Sequence, residues 1–311
     1  MISRSTLIGA LVVVELAIVG MAVSAVTGAM PFPSAFAAAP FQMPNVEDST
    51  RTPLDRTLAT GPSPHVLIDV HDLHATVETA NVPSVRVVET VHKDGLVLNG
   101  REEPVSFDRT PDGVQVTTPG DVGDTVVIGD FDESVRVIVP PTAQVEVTGA
   151  EPLEVSGLRS KLVAHLVGGP LVVKNHRGDL DLSVRSEGRI VLNDVQAGVL
   201  ATNTHDGRLL FSRVGADRLD ATTDSGRIEA VDLRAVDGAL TTRDGHVDVS
   251  FAPNSNAVVT ARTADGSVHV SGLTAEQSEK TSATLRLGGG AGHFEVSTGD
   301  GRVTLSQGAS I

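Results

Sequence analysis

A period of about 19 residues in the C-terminal half limits what this chain can fold into more than any other feature. Set in register, VLATNTHDGRLLF (199–211), RLDATTDSGRIEA (218–230), ALTTRDGHVDV (239–249), VVTARTADGSVHV (258–270) and HFEVSTGDGRVTL (293–305) share one pattern. An earlier member, SVRSEGRIVL (183–192), fits with a one-residue offset on its N-terminal side. The anchoring glycines Gly188, Gly207, Gly226, Gly245 and Gly266 are spaced 19, 19, 19 and 21, and Gly301 closes the series after an insertion. A unit this short cannot bury an apolar face alone, so its neighbours must stack on it.

The columns carry the physics. Two residues after the glycines stand Ile190, Leu209, Ile228, Val247, Val268 and Val303, and four after stand Leu192, Phe211, Ala230, Val249, Val270 and Leu305. Positions between them are mostly polar, so each glycine is followed by a short strand with one face inward. Three residues before the glycines runs a Thr column, Thr204, Thr223, Thr242, Thr263 and Thr298. Each unit therefore reads as strand, D-G-type turn, strand and return loop, with the glycine expected to supply a positive φ. Antiparallel hairpins would pair the strands that flank each turn. A parallel solenoid would stack each strand on its counterpart one coil away, about 4.8 Å along the axis. Identical residue types recurring at identical phase favour the solenoid, in which stacked threonines form hydroxyl ladders at a corner.

Composition agrees and excludes. The chain of 311 residues has no Cys, Trp or Tyr, and only 8 Phe, so its core must be built from Val, Leu, Ile and Ala. Without Cys there is no disulfide framework, thiolate metal site or Cys nucleophile. A formal net charge of −15 on a chain without aromatic platforms makes nucleic acid a poor partner. Residues 7–30 are apolar but for Glu15, Ser24 and Thr27, long enough to span a bilayer, with Arg4 before them and Glu47 and Asp48 the first charges after. The positive-inside rule places the N-terminus in the cytoplasm and the rest outside. A cleaved signal peptide, with A-x-A patterns at 35–39, is the alternative, and it would leave the mature chain secreted. Residues 31–64 hold seven of the 16 prolines and read as an extended spacer. The expected domains are thus an anchor (1–30), a Pro-rich linker (31–64) and an all-β solenoid (65–311), less regular over 65–175 and regular over 176–311.

The segments SVRVIVPPTAQVEVTGAEPLEVSGL (134–158) and VVKNHRGDLDLSVRSEGRIVLNDV (172–195), with the repeats to Leu305, resemble the DUF4097 adhesin-type family of bacterial cell-envelope proteins. The resemblance covers roughly residues 65–307. It implies a single-stranded parallel β-helix and a cell-envelope location, and it brings no catalytic motif.

The column after the glycines, Arg189, Arg208, Arg227, His246, Ser267 and Arg302, would stack into a basic stripe able to hold a polyanion, unless Glu229 and Asp248 neutralise it. The acids before the glycines (Glu187, Asp206, Asp244, Asp265, Asp300) fit turn chemistry better than calcium, for they lack the nonapeptide spacing. In HDLH (71–74), Asp69 and His71 share a strand face that His74 does not, a poor metal geometry. Asp179, Asp181, Asp220 and Asp224 are the carboxylates that a polysaccharide-cutting site would draw on. HRGDL (176–180) contains an Arg-Gly-Asp tripeptide inside the repeat. No cofactor is expected. The reading is a non-enzymatic, membrane-tethered module, structural or adhesive, acting through its faces or an uncapped end by self-association or by binding an envelope polymer. The alternatives are a polysaccharide-active enzyme and an anionic-glycan-binding module.

Overall fold

The computed structural model describes residues 49–71, 73–98, 104–118 and 126–308, and every regular element among them is a β-strand. The expected anchor and residues 31–48 of the linker lie outside the described residues. No helix among the described residues is long and apolar enough to cross a membrane. The rest of the expected spacer includes a strand, Ser49–Ala59, with most of its side chains exposed. Pro53 is tolerated in such a strand because its missing N–H weakens only a peripheral ladder. Arg86 holds Asp55 with two hydrogen bonds of 2.8 and 2.7 Å, and Arg56 donates to the Phe107 carbonyl at 2.9 Å. The guanidinium beside Asp55 lowers the pKa of its carboxyl.

The described residues fall into two compact units. In the smaller, made of residues 49–51, 90–98 and 126–133, Thr50 Oγ1 lies 3.1 Å from His92 Nδ1, and Lys93 Nζ lies 5.6 Å from the Phe131 ring centre. The larger takes in residues 52–89, 104–118 and 134–308 and contains the repeats.

Within the larger unit, strands pair in parallel with their counterparts one period away. Gly188–Thr204 runs in register with residues 207–223 at an offset of 19, and these in turn with Ile228–Asp244 at the same offset. Like therefore meets like: Ile190 lies beside Leu209, Leu192 beside Phe211 and Thr204 beside Thr223. Upstream the coil shortens by a residue or two, for Leu162 pairs with Val145 on one side and Leu180 on the other. The inward rows are almost wholly aliphatic and buried, as a narrow coil interior requires.

Chain order and stacking order differ at both ends, against the expectation that Gly301 follows Gly266. Gly292–Gln307, the last strand, pairs with Ile228–Asp244 and Val247–Phe251 on one side and with Ala257–Ser271 on the other. Gly301 therefore stands between Gly245 and Gly266. Gly238 pairs with Phe294 in the inserted strand, and the Phe294 ring meets Phe251 edge-on, with centres 6.2 Å apart. At the other end His65–Asp69 is likewise inserted, between Gln144–Thr148 and Gly113–Thr117. His74–Thr79 lies between Leu153–Ser156 and residues 134–139.

Nor is either end simply uncapped. Ser106–Thr110 folds back antiparallel on Gly113–Thr117. Ser282–Arg286 does the same on Ala257–Ser271 and carries the four-residue strand Ala275–Ser278 outside it. That last strand is short, mostly exposed and charged at Glu276, all of which discourage edge pairing.

The turn glycines supply the expected positive φ at only two positions and serve a second purpose at all six. Of the six, only Gly266 and Gly301 have positive φ, 155° and 149°. What all six share is close approach. A methyl group at Gly207, Gly226, Gly245, Gly301 or Gly266 would collide with the carbonyl oxygen of the glycine one coil away, and one at Gly188 with that of Gly169. The threonines bond to the same carbonyls rather than to one another. Thr242 Oγ1 donates to Gly226 O at 3.2 Å, Thr298 to Gly245 O at 3.0 Å and Thr263 to Gly301 O at 3.2 Å. Thr223 Oγ1 is shared between Gly207 O and His205 O, both at 3.3 Å. At the start of the file Thr204 Oγ1 is buried without a partner among the described residues, as is Thr202 Oγ1.

One inward position is ionisable. His176 is fully buried in register with Val195, which in turn pairs with Val214. Its Nε2 donates to Gly178 O at 3.1 Å, while Nδ1 has no partner among the described residues. Burial holds its pKa down at about 4, from an ordinary 6.5.

These contacts predict distinct outcomes in denaturant titrations. Gly226→Ala loses about 3 kcal/mol through overpacking against Gly207 O. Thr242→Val loses about 1 kcal/mol with its hydroxyl bond, whereas Thr204→Val, which removes an orphan, is neutral or stabilising. For His176 the folded state stays neutral while the unfolded chain takes up a proton below pH 6.5. Its contribution is therefore complete above pH 6.5 and lost as the pH falls towards 4, by about 3 kcal/mol in all. His176→Leu is expected to flatten stability across that window, and an unchanged pH profile would refute the assignment.

Candidate functional site

Where the chain turns a corner, one residue per coil adopts a left-handed backbone: Asn175 (φ 51°), Asp194 (56°), Arg213 (54°) and Asp232 (58°), each 19 residues after the last. Asn and Asp enter this region readily because their short polar side chains bond locally. Arg213 does not, and its guanidinium shows what holds it. Nε and Nη2 bind the Asp194 carboxylate at 2.5 and 2.7 Å, and Nη2 also reaches Asn193 Oδ1 at 2.7 Å. The same pairing lowers the Asp194 pKa and raises that of Arg213.

Two residues past the left-handed position, side chains point outward again. Arg177 lies in register with Gln196, Gln196 with Gly215, and Gly215 with Arg234. Arg177 N donates to Leu158 O at 2.8 Å, which sets Arg159 one coil earlier in the same file. Because Gly215 has no side chain, Arg234 Nη2 reaches across it to Gln196 Oε1 at 2.8 Å. Between the two files opens a polar cleft of about 500 Å³, lined by Arg159, Arg177, Arg213, Asn175, Gln196 and Asp194 among others. A smaller depression of about 170 Å³, with Asp232 and Arg234, continues it past Arg213. Arg159 and Arg177 are exposed, and neither side chain has a hydrogen-bond or ion-pair partner among the described residues. Sequence reading missed this cleft. Its signal was Asn175, Asp194 and Asp232 at 19-residue spacing in the return loops, interrupted by an Arg.

The expected basic stripe is a file, though in stacking order rather than chain order. Arg189 pairs with Arg208, Arg302 N donates to His246 Nδ1 at 3.3 Å, and Arg302 lies in register with Ser267. Arg189, Arg208, Arg227, His246 and Arg302 are all exposed. Arg227 is neutralised by Glu229 at 2.8 Å and Asp248 at 2.6 Å, so charge is cancelled at the centre of the file.

The carboxylates considered for catalysis do not converge. Asp179 Oδ1 accepts from Val199 N at 2.9 Å, Asp220 pairs with Arg218 at 2.8 Å and Asp224 with His205 at 2.5 Å. Asp181 and Asp220 are separated by Ala201. The Arg-Gly-Asp tripeptide is thereby divided, its Asp bonded to backbone and its Arg lining the cleft. His71 lies 3.4 Å from Asp69, whose Oδ1 also accepts from Thr148. No group of three or more metal-binding side chains forms among the described residues. The acids before the glycines stack, Asp244 and Asp265 each pairing with Asp300.

No curated protein matches the chain. A solved structure from Parabacteroides merdae named a "putative adhesin" is 13% identical, with 85% of this chain and 97% of that chain covered and a TM-score of 0.49. A "putative lipid binding protein" from Parabacteroides distasonis is 11% identical, covering 82% and 96%, with a TM-score of 0.49. A "putative adhesin" from Bacteroides fragilis is 11% identical, covering 84% and 98%, with a TM-score of 0.41. The model of the family described as Toastrack DUF4097 matches residues 115–306, which is more than half of the sequence. With its stacked coils in that same span, the chain belongs to the Toastrack DUF4097 family.

Proposed function

We propose that this protein is a non-enzymatic module that works by contact, structural or adhesive, outside the cytoplasmic membrane and tethered to it through residues 7–30. The observation that carries the reading is the repetition of surface chemistry. Fixed register sets like polar side chains in files at about 4.8 Å, an arrangement suited to extended partners rather than to one small substrate. The dispersal of Asp179, Asp220 and Asp224 to separate local partners argues against a hydrolase, which needs two carboxylates facing one bond. The antiparallel caps favour contact through the sides over end-to-end stacking. The bilayer is thus the partner of the N-terminal segment, and an envelope polymer or a second cell surface that of the coils.

The test has two readouts. Protease applied to intact cells is expected to remove the coils, and deletion of the gene to reduce attachment to surfaces or to neighbouring cells. Incubation of the purified full chain with acidic polysaccharides is expected to yield no cleavage products. Protection of the coils from protease, unchanged attachment, or the appearance of oligosaccharides would each overturn the proposal.

A further inference from the structure

The corner cleft makes the contact reading specific. Several arginines elsewhere on the coils are ion-paired: Arg136 with Glu78, Arg218 with Asp220, Arg227 with Glu229 and Asp248, Arg286 with Glu276. Arg159 and Arg177 are not, and they sit side by side over a cavity of about 500 Å³ whose one carboxylate, Asp194, is already taken by Arg213. The lining thus carries two uncompensated positive charges on a chain whose net charge is −15.

Guanidinium groups present a planar fork of donors that fits a carboxylate in two-point contact. Asn175 and Gln196 add neutral donors and acceptors beside them. The lining has no aromatic side chain, so neither a base nor a sugar face has a platform to stack on. Pro141 is the one apolar side chain that lines the cleft, too little for an acyl chain to bury against. Donors also continue along the file through Gln196 to Arg234, at about 4.8 Å per coil. A file of donors suits charges carried at intervals on a linear chain better than it suits a single free anion.

We infer that this cleft binds a segment of an acidic polysaccharide through its carboxylates, with Arg159 and Arg177 as the principal contacts and Arg213, fixed by Asp194, positioning the wall between them and Arg234. The inference rests on the contact reading proposed above and supplies its ligand class and its site. The Arg of the Arg-Gly-Asp tripeptide then acts through the cleft and not as part of a receptor-read motif.

The full chain, purified in detergent, is titrated with polygalacturonate, with neutral dextran and with vesicles of phosphatidylglycerol and phosphatidylcholine. The expected result is salt-sensitive binding to polygalacturonate, weakened about tenfold or more in R159A/R177A and partly restored in R159K/R177K. The pair R189A/R208A, on the other basic file, should change it less than about twofold. Among the described residues neither Arg159 nor Arg177 bonds to another side chain, so these variants keep the fold, as a thermal melt would verify. Undiminished binding by R159A/R177A, equal loss in R189A/R208A, absence of polygalacturonate binding, or binding to the vesicles alone would each overturn the inference. Attachment that persists in cells carrying R159A/R177A but vanishes on gene deletion would retain the contact reading while removing the cleft from it.

Discussion

The backbone contact along the glycine file is the constraint on which the rest of this structure depends. At each coil a glycine lies so close to the carbonyl oxygen of its neighbour that no side chain fits between them. Coils can slide past one another by neither one residue nor two without placing a bulkier residue in that gap. A slip by one would also turn each aliphatic row outward. The threonine three residues earlier secures the same carbonyl with its hydroxyl, so packing and hydrogen bonding select the same register. That agreement explains why like residues recur at like phase through four coils.

The register has consequences at the corner of the left-handed residues. Once coils are aligned at the glycines, every return loop reaches the corner in the same conformation, and the left-handed residues fall into a file. Asn175, Asp194 and Asp232 take that conformation at little cost, whereas Arg213 takes it under the hold of its neighbour's carboxylate. Alignment then brings Arg159 beside Arg177, and it leaves Gly215 as the gap across which Arg234 reaches Gln196. The cleft is a by-product of stacking, assembled from residues that are remote from one another in the chain. Its charge is unusual for this protein only because a single carboxylate lines it and is already engaged.

Much of this was legible in the sequence, and what was not has a common cause. Columns at fixed spacing revealed the strands, the inward rows and the parallel stacking, because those depend on local pattern repeated. For Gly188, Gly207, Gly226 and Gly245 the role was misread as one of φ, since such a turn looks the same whether it needs a positive φ or a bare Cα. The insertion of Gly292–Gln307 between earlier coils could not be read at all. Its pattern, HFEVSTGDGRVTL, suits any slot in the stack equally well. Likewise Arg227 belonged to a plausible basic stripe until its geometry against Glu229 and Asp248 was known. His176 shares its 19-residue column with Val195, Val214 and Leu233, the one sequence sign that it points inward, but its flanks Asn175 and Arg177 are polar and masked it.

By itself the sequence determined that the repeat-bearing part of this chain is all-β, that its coils repeat about every 19 residues, and that its core is aliphatic. Periodicity, alternation and the near absence of aromatics are local properties, and the physics of strand and coil acts on them directly. Only the tertiary structure decided the order in which coils stack, which arginines are neutralised, and where two of them remain free above a cleft. Those depend on which residues become neighbours across coils, and a repeat makes many such arrangements locally equivalent. Strand insertion at both ends, with the packing of Phe294 against Gly238 and Phe251, separates one arrangement from the rest.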